Sequence, residues 1–352
     1  MSLRWTPCHC EPPCEVRRSL HDREIHRAAG LVILVLLSLV SFGCSPGEKI
    51  HVIKFALSQN RGEPQVRAAE VFKRILEQRT AGKLRVELYP NNQLGNQRDV
   101  IEGIQLGTVE LSNVASVMAA FVKEVNLFEL PFLFESREHF HAVLDSEIGE
   151  GLRPVLARRG FHLLGFFDAG VRHIMTTDRP VRELADLRGL KIRTMENPLH
   201  LATFKALGAN PLPMAYGELY TALEQGVIDG AEAANTNYLS KRFHEPAPNW
   251  ALVGWIHLAE YVVMSRVFYE RLPPELRMIV DEAAEEMIAR ERLWYEETDA
   301  AALRDLEAVG VRITLPDRSP FRQAAQRVYI EWAERVGGMK LIERILSFPH
   351  ER

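Results

Sequence analysis

The sequence predicts an α/β fold with mainly parallel, doubly wound sheets and one very long helix. Three observations carry this. Short apolar or alternating runs bounded by turn residues recur between amphipathic helical patterns, the order that a parallel sheet with crossover helices needs. The stretch Gly189–Ala234, GLKIRTMENPLHLATFKALGANPLPMAYGELYTALEQGVIDGAEAA, repeats that order as strand, helix, extended passage, helix, strand. Residues 273–309 form a single helical pattern that only Gly310 closes. At 352 residues, 47% hydrophobic and 26% charged, the chain is globular in composition and long enough for two cores.

Residues 28–43 carry no charge and are rich in Leu and Val. Arg23, His26 and Arg27 precede them, and Cys44-Ser45-Pro46-Gly47 follows. The run is marginally short for a membrane-spanning helix. A positive flank, an apolar core and small residues before a cysteine read as an export signal. Ser41-Phe42-Gly43-Cys44 resembles a bacterial lipobox, so Cys44 is the expected lipidation site. Ordinary cleavage nearby, or a retained anchor helix, is the alternative. Residues 1–47 are thus read as an extension plus export signal. Cys8, Cys10 and Cys14 have a C-x-C-x3-C spacing with no matching downstream cluster, a weak metal signal; a start codon placed too far upstream is the preferred reading of that region. No cysteine follows Cys44, so the body of the protein is expected to lack disulfides and to rely on packing.

Ile50–Leu57 alternates and then turns apolar, as a first strand would. Ser58-Gln59-Asn60-Arg61-Gly62 is a polar loop. Pro64–Arg79 is an amphipathic helix with Val66, Ala69, Phe72, Ile75 and Leu76 on one face, ended by Gly82. Leu84–Tyr89 is a second strand, Arg98–Leu106 a helix closed by Gly107, and Val109–Val114 a third strand. The aromatic run Phe128–Phe134 is read as a buried loop, with stacking on a ligand as the alternative. Residues 137–159 are helical. Phe161–Phe167 is a buried strand, and Leu184–Leu187 a short helical turn.

In the central stretch, Leu190–Thr194 is a strand with Arg193 near its end. Asn197 caps the next helix and Pro198 fits its first turn. Pro211 and Pro213 force an extended passage. A helix runs from Gly217 to Gly226, Val227-Ile228 is a buried strand, and Asp229-Gly230 turns out of it. Residues 233–238 are read as polar and irregular. Tyr261–Ser265 is another strand. The long helix has a stripe of Leu276, Ile279, Val280, Ala283, Met287, Leu293 and Trp294. Val311–Ile313 is a last strand, and Ser319-Pro320 caps a helix to Val336.

Gly189, Leu190, Lys191, Arg193, Leu207, Gly208, Pro211, Pro213, Met214, Glu218, Tyr220, Leu223, Gln225, Asp229, Gly230 and Glu232, in one register, resemble the signature of substrate-binding proteins of TRAP (tripartite ATP-independent periplasmic) transporters, the DctP-type family. Pro90-Asn91-Asn92-Gln93-Leu94-Gly95 and Gly103–Gly107 match further family patterns approximately. The resemblance spans roughly residues 50–336. It implies a two-lobed periplasmic binding protein, type II-like, with the long helix behind both lobes. The implied lobes are discontinuous: 48–168 with 259–298 returning, and 169–258 with 299–352 returning. The chain would cross near Phe167 and return near Glu260.

The resemblance also implies a ligand and partners: a small organic acid, delivered to TRAP membrane subunits by a periplasmic, expectedly monomeric receptor, with membrane attachment through a lipid anchor as an option. A guanidinium at a strand end in a closing cleft matches a carboxylate with two parallel hydrogen bonds, which makes Arg193 the leading candidate. A structural salt bridge to Glu196 or Glu218 is its alternative. The family often has a ligand-facing Arg at the position of Arg172; a surface Arg is the alternative there. Tyr216 either flanks the ligand or packs. Glu232, Asn235 and Asn237 are candidates to bond hydroxyls or amides, and Ser58 and Gln59 are candidates from the opposite lobe. The family often carries Asn where this chain has Ala233, which leaves the substrate class open; Asn235 is one substitute, a more apolar pocket the other.

A net charge of −4 with both signs dispersed gives no sign of a nucleic-acid partner. No G-x-S-x-G, H-E-x-x-H or P-loop is present, and the 12 His are scattered. No cofactor or metal is called for. A ligand-sensing extracytoplasmic module and a periplasmic enzyme are the competing functions; the second would need a nucleophile–base pair that the sequence does not offer.

Overall fold

His51–Ala56 (β1) pairs in parallel with Leu84–Tyr89 (β2) and with Leu111–Val114 (β3) in the computed structural model, which describes residues 49–349. The export segment, the lipidation site at Cys44 and the Cys8–Cys14 spacing lie outside the described residues. Phe161–Thr176 (β4) is far longer than the strand expected at Phe161–Phe167. Lys191–Thr194 (β5) and Asn210–Pro213 (β6) pair in parallel. The two prolines of β6 lie on an edge strand, where missing donors cost least. Gly230–Ala233 (β7) pairs with both β4 and β5. Asn249–Ser265 (β8) is again longer than expected, and Arg312–Thr314 (β9) joins it.

The nine strands among the described residues form one sheet in the order β2-β1-β3-β8-β4-β7-β5-β6, with β9 on β8. Pairing is parallel toward each edge and antiparallel at the centre, where β4 and β8 run through both halves of the sheet. Phe167 and Glu260 are cross-strand partners there. The β4–β8 register slips between Asp168 and Val171, and Gly170 sits in the slip at φ +80°. A Cβ at Gly170 would lie 2.6 Å from the Tyr295 hydroxyl and 2.8 Å from Ala234 Cβ, so only glycine fits.

The helices form as their caps dictate. Asn197 accepts from Leu199 N–H (2.7 Å) ahead of the helix Pro198–Ala206. Asn96 and Asp99 make a reciprocal capping box on Gln97–Leu106. The long helix Pro274–Ala308 packs on the helix Pro64–Arg79, on β4 and on the helix Asn235–Ser240, so it spans both halves. Its inner face runs Leu276, Val280, Ala283, Met287, then Glu291 and Tyr295, then Ala302 and Leu306. Leu293, expected on that face, is 66% exposed. The stripe keeps its spacing through a buried acid and a tyrosine, which an apolar pattern skips over.

One further expectation is corrected. Residues 233–238 are not irregular: Asn235–Ser240 is a helix. Toward the C-terminus, Leu306 packs with Tyr238 and Trp250, Phe321 and Ala325 pack with Phe204 and Trp255, and Val328, Trp332, Ile342 and Ile345 share a core with Phe128, Phe140, Phe166 and Leu199. Phe128, Phe132 and Phe134 are themselves buried in packing, as a loop under the core would be.

Candidate functional site

The strand expected at Val227-Ile228 lies three residues later, as Gly230–Ala233. Val227 is 48% exposed in the preceding turn, and the Asp229 carboxylate accepts from Lys191 N–H (2.7 Å). This shift matters because it puts Glu232 on a central strand. β7 lies between β4, which carries Arg172, and β5, which carries Arg193. The three side chains meet. Arg172 Nε donates to Glu232 Oε2 (2.8 Å), Arg172 Nη2 to the Glu232 carbonyl (3.2 Å) and Arg172 Nη1 to Asn237 Oδ1 (3.1 Å). Arg193 Nη1 stands 3.6 Å from Glu232 Oε1, too far to hydrogen-bond.

Arg193 is otherwise held by one carbonyl. Its Nε (3.0 Å) and Nη2 (2.7 Å) both donate to Met214 O, just past the proline strand β6. Arg193 Nη1 and Glu232 Oε1 are buried without a hydrogen-bond partner. The two arginines, both nearly fully buried, are therefore in different states. Burial works against the charge of each. For Arg172, Glu232 outweighs burial and holds the guanidinium above its ordinary pKa. For Arg193, burial prevails over Glu232, with Arg172 adding repulsion, and its pKa falls below the ordinary value. The alternative partners Glu196 and Glu218 do not engage Arg193; Glu196 faces Arg98 at 3.7 Å.

A cleft opens in front of Arg193. About 570 Å³ lies between protein atoms there, part of it open to solvent. The first half contributes Ser58, Gln59, Asn96, Gln97, Ala115, Val117 and Glu260; the second contributes Arg172, Arg193, Met195, Glu196, Met214, Tyr216 and Asn237. Of the expected residues, Arg193, Arg172, Tyr216, Asn237, Ser58 and Gln59 thus line one space. Tyr216 packs edge-on to Phe243, and its buried hydroxyl has no partner.

Glu232 and Asn235 do not reach the cleft. Glu232 is fully buried behind it as the counter-ion of Arg172. Asn235 accepts from Trp250 Nε1 (3.0 Å) and donates to Asp299 (3.3 Å), facing the long helix instead. It therefore does not substitute for the asparagine missing at Ala233, which is itself buried on β7.

Sequence reasoning missed two groups. Glu260, on β8, accepts from Gln59 Nε2 (2.7 Å) and Asn113 Nδ2 (2.5 Å). Burial pushes its carboxyl up to about 8 against those bonds. Its signal was a lone acid inside the apolar run HLAEYVV. Lys241 follows the helix Asn235–Ser240 and bridges the halves, donating to Ser58 O (3.2 Å), Asn60 Oδ1 (2.7 Å) and Asn91 Oδ1 (2.8 Å). Asn60 returns a bond to Ser240 O (3.1 Å). Lys241→Met removes this cross-cleft set. Calorimetry should find ligand affinity about tenfold weaker, the scale of one charged hydrogen bond; unchanged affinity would mean these bonds do not hold the halves together.

Residues 55–335 match the family model described as bacterial extracellular solute-binding protein, family 7. The chain belongs to this family. A solute-binding protein of Verminephrobacter eiseniae is 33% identical over 297 residues, covering 84% of this chain and 88% of that one. The C4-dicarboxylate-binding periplasmic protein DctP of Rhodobacter capsulatus is 30% identical over 294 residues, 81% of this chain and 87% of its own. Among solved structures, a TRAP periplasmic solute-binding protein of Pseudomonas putida F1 with bound D-glucuronate superposes with a TM-score of 0.83 at 33% identity, covering 86% of this chain and 98% of that one. The protein is thus a solute-binding protein of the TRAP type, as the signature from Gly189 to Glu232 implied. Among the described residues, no helix is long and apolar enough to cross a membrane.

Proposed function

We propose that this solute-binding protein captures a hydroxylated carboxylic acid outside the cytoplasm and hands it to TRAP membrane subunits. It does no covalent chemistry on it. One observation carries the reading: a buried guanidinium at the cleft wall keeps Nη1 without a partner while a single backbone carbonyl takes the opposite edge. A ligand carboxylate would supply the missing acceptor and the missing charge. The halves would close on the ligand by bending β4 and β8 at the slip around Gly170, with the long helix as the shared back. Attachment through Cys44 belongs to this proposal as its membrane link.

The function as receptor is tested by thermal unfolding of the body of the protein with D-glucuronate, D-galacturonate, D-erythronate and C4-dicarboxylates. At least one acid should raise the melting temperature and be recovered unchanged. A panel with no shift, or turnover of the acid, would count against it.

A further inference from the structure

We propose that Glu260 is a specificity-determining residue: its carboxyl, in the wall opposite Arg193, hydrogen-bonds a hydroxyl of the ligand, so that the cleft takes acids with one carboxylate and rejects a second. This rests on the carboxylate-receptor reading above.

Two opposed walls carry the inference. The cations lining the cleft are Arg172 and Arg193. Arg172 spends its donors on Glu232 and Asn237, so Arg193 alone offers an edge to a carboxylate. Glu196 in the cleft faces Arg98, and Glu232 balances Arg172. Arg193 is thus the one lining cation with a donor to spare, enough for a monoanion and not for a dianion.

Glu260 sits in the first-half wall, 4% exposed. Its hydrogen-bond partners are amides: Gln59, just past β1, and Asn113 on β3, which are themselves bonded (Asn113 Nδ2 to Gln59 Oε1, 3.1 Å). The charged groups that bear on it are Glu63, ahead of the helix Pro64–Arg79, and Arg172 on β4. Burial is the largest influence and Glu63 adds to it, while the amide bonds and Arg172 oppose; the carboxyl stays protonated up to about pH 8. The two amides donate to different oxygens of the carboxyl, Gln59 to Oε1 and Asn113 to Oε2, and the carboxyl lines the cleft. A ligand hydroxyl, which can accept from an acid or donate to it, fits this wall. A second ligand carboxylate at this wall would lie against the buried Glu260, with the charge of Glu63 bearing on the same spot, and among the described residues no cation lines the cleft on that side. The names of relatives include both a sugar acid and a C4-dicarboxylate, so family membership leaves this choice open.

The test pairs each monoacid with its diacid: D-glucuronate with D-glucarate, D-galacturonate with galactarate, D-erythronate with meso-tartrate. Calorimetry at pH 7 on the wild type should show the diacid weaker by about 50-fold or more. Glu260→Ala should weaken the monoacid about tenfold, and Glu260→Gln, which keeps a hydrogen-bonding group but sets an NH2 against one of the two amide donors, should fall between Glu260→Ala and the wild type. Without ligand, the wild type should lose stability relative to Glu260→Gln as pH rises from the ordinary carboxylate range to about 8, with the gap levelling off above that, because the folded state holds a proton that the unfolded state has already released. Diacid binding as tight as monoacid binding overturns the proposal and leaves the receptor reading standing. So does a Glu260→Ala variant that binds the monoacid as tightly as the wild type. Failure of every acid on both sides of the pairs sinks the receptor reading itself.

Discussion

Arg193→Ala should abolish ligand-induced stabilisation and leave the unliganded melting temperature unchanged or slightly higher. The two halves of this expectation have one cause. The guanidinium is 2% exposed and has one neutral acceptor, Met214 O, with its nearest carboxylate beyond hydrogen-bonding range. Burial therefore holds its pKa below the ordinary value. A charge in that state weighs against the fold, so truncating it relieves the fold. A bound carboxylate reverses the sign, since a planar fork with Nη1 to spare gains a charge-assisted pair in a desolvated site. Removing one partner of such a pair costs about 3 kcal/mol, or roughly 100-fold in Kd. Arg193→Lys keeps the charge but not the fork and should fall between. Calorimetry with the best-binding acid, alongside unliganded melting curves, separates the possibilities. An affinity within a few-fold of wild type would remove Arg193 from the binding role. A collapse of the unliganded melt would make it a structural arginine.

The parts of this site that could be read from the chain are those fixed by local rules. Asn197-Pro198 announces a helix start, Pro211 and Pro213 an edge, and the spacing from Gly189 to Glu232 a family register that singles out Arg193. What was hidden depends on contacts distant in sequence. The run from Asp168 to Thr176 contains Gly170, Arg172 and His173, so its continuation as a strand is not written in an alternating pattern. Pairing with β8 across several register shifts holds it extended. Gly230–Ala233 has little intrinsic strand preference, but it is wedged between β4 and β5, and tertiary pairing overrides propensity. Misplacing that strand by three residues made Glu232 look like a loop residue reaching for ligand. The helix Asn235–Ser240, built from Asn, Thr, Tyr and Ser, is likewise imposed by packing against the long helix. Glu260 and Asp168 share a different signal. Both are acids inside buried stretches, while Glu291 is a buried acid set between Arg290 and Arg292; all three are polar members of the central seam, where Glu291 accepts from Asp168 N–H (3.0 Å), and Asp168 Oδ1 from Gly170 N–H (2.7 Å). An isolated acid in an apolar run was the clue available, and it carries no information on which partner it meets.

Arg172→Ala should act first on stability, not on affinity, and the ranking of the two arginines follows from their partners. Arg172 is 4% exposed and Glu232 is fully buried, and the pair is joined at 2.8 Å. Truncating Arg172 leaves Glu232 with only the 3.6 Å approach of Arg193 and leaves Asn237 Oδ1 without its donor. Breaking a buried pair from one side costs about 3–5 kcal/mol, enough to lower the melting temperature by several degrees in a domain of this size. Glu232→Gln should destabilise in the same sense, and it also strips Arg193 of its nearest counter-charge. The double variant Arg172→Met with Glu232→Leu should recover much of the loss, because the two costs are one interaction counted from each end. Binding in Arg172→Ala should weaken less than in Arg193→Ala when measured well below the melting transition. If Arg172→Ala instead melted like the wild type and bound no acid, Arg172 would be the carboxylate clamp and Arg193 the support. A double-mutant cycle on melting temperature and Kd together decides this: coupling between Arg172 and Glu232 should appear in the melting data, and the loss at Arg193 in the Kd.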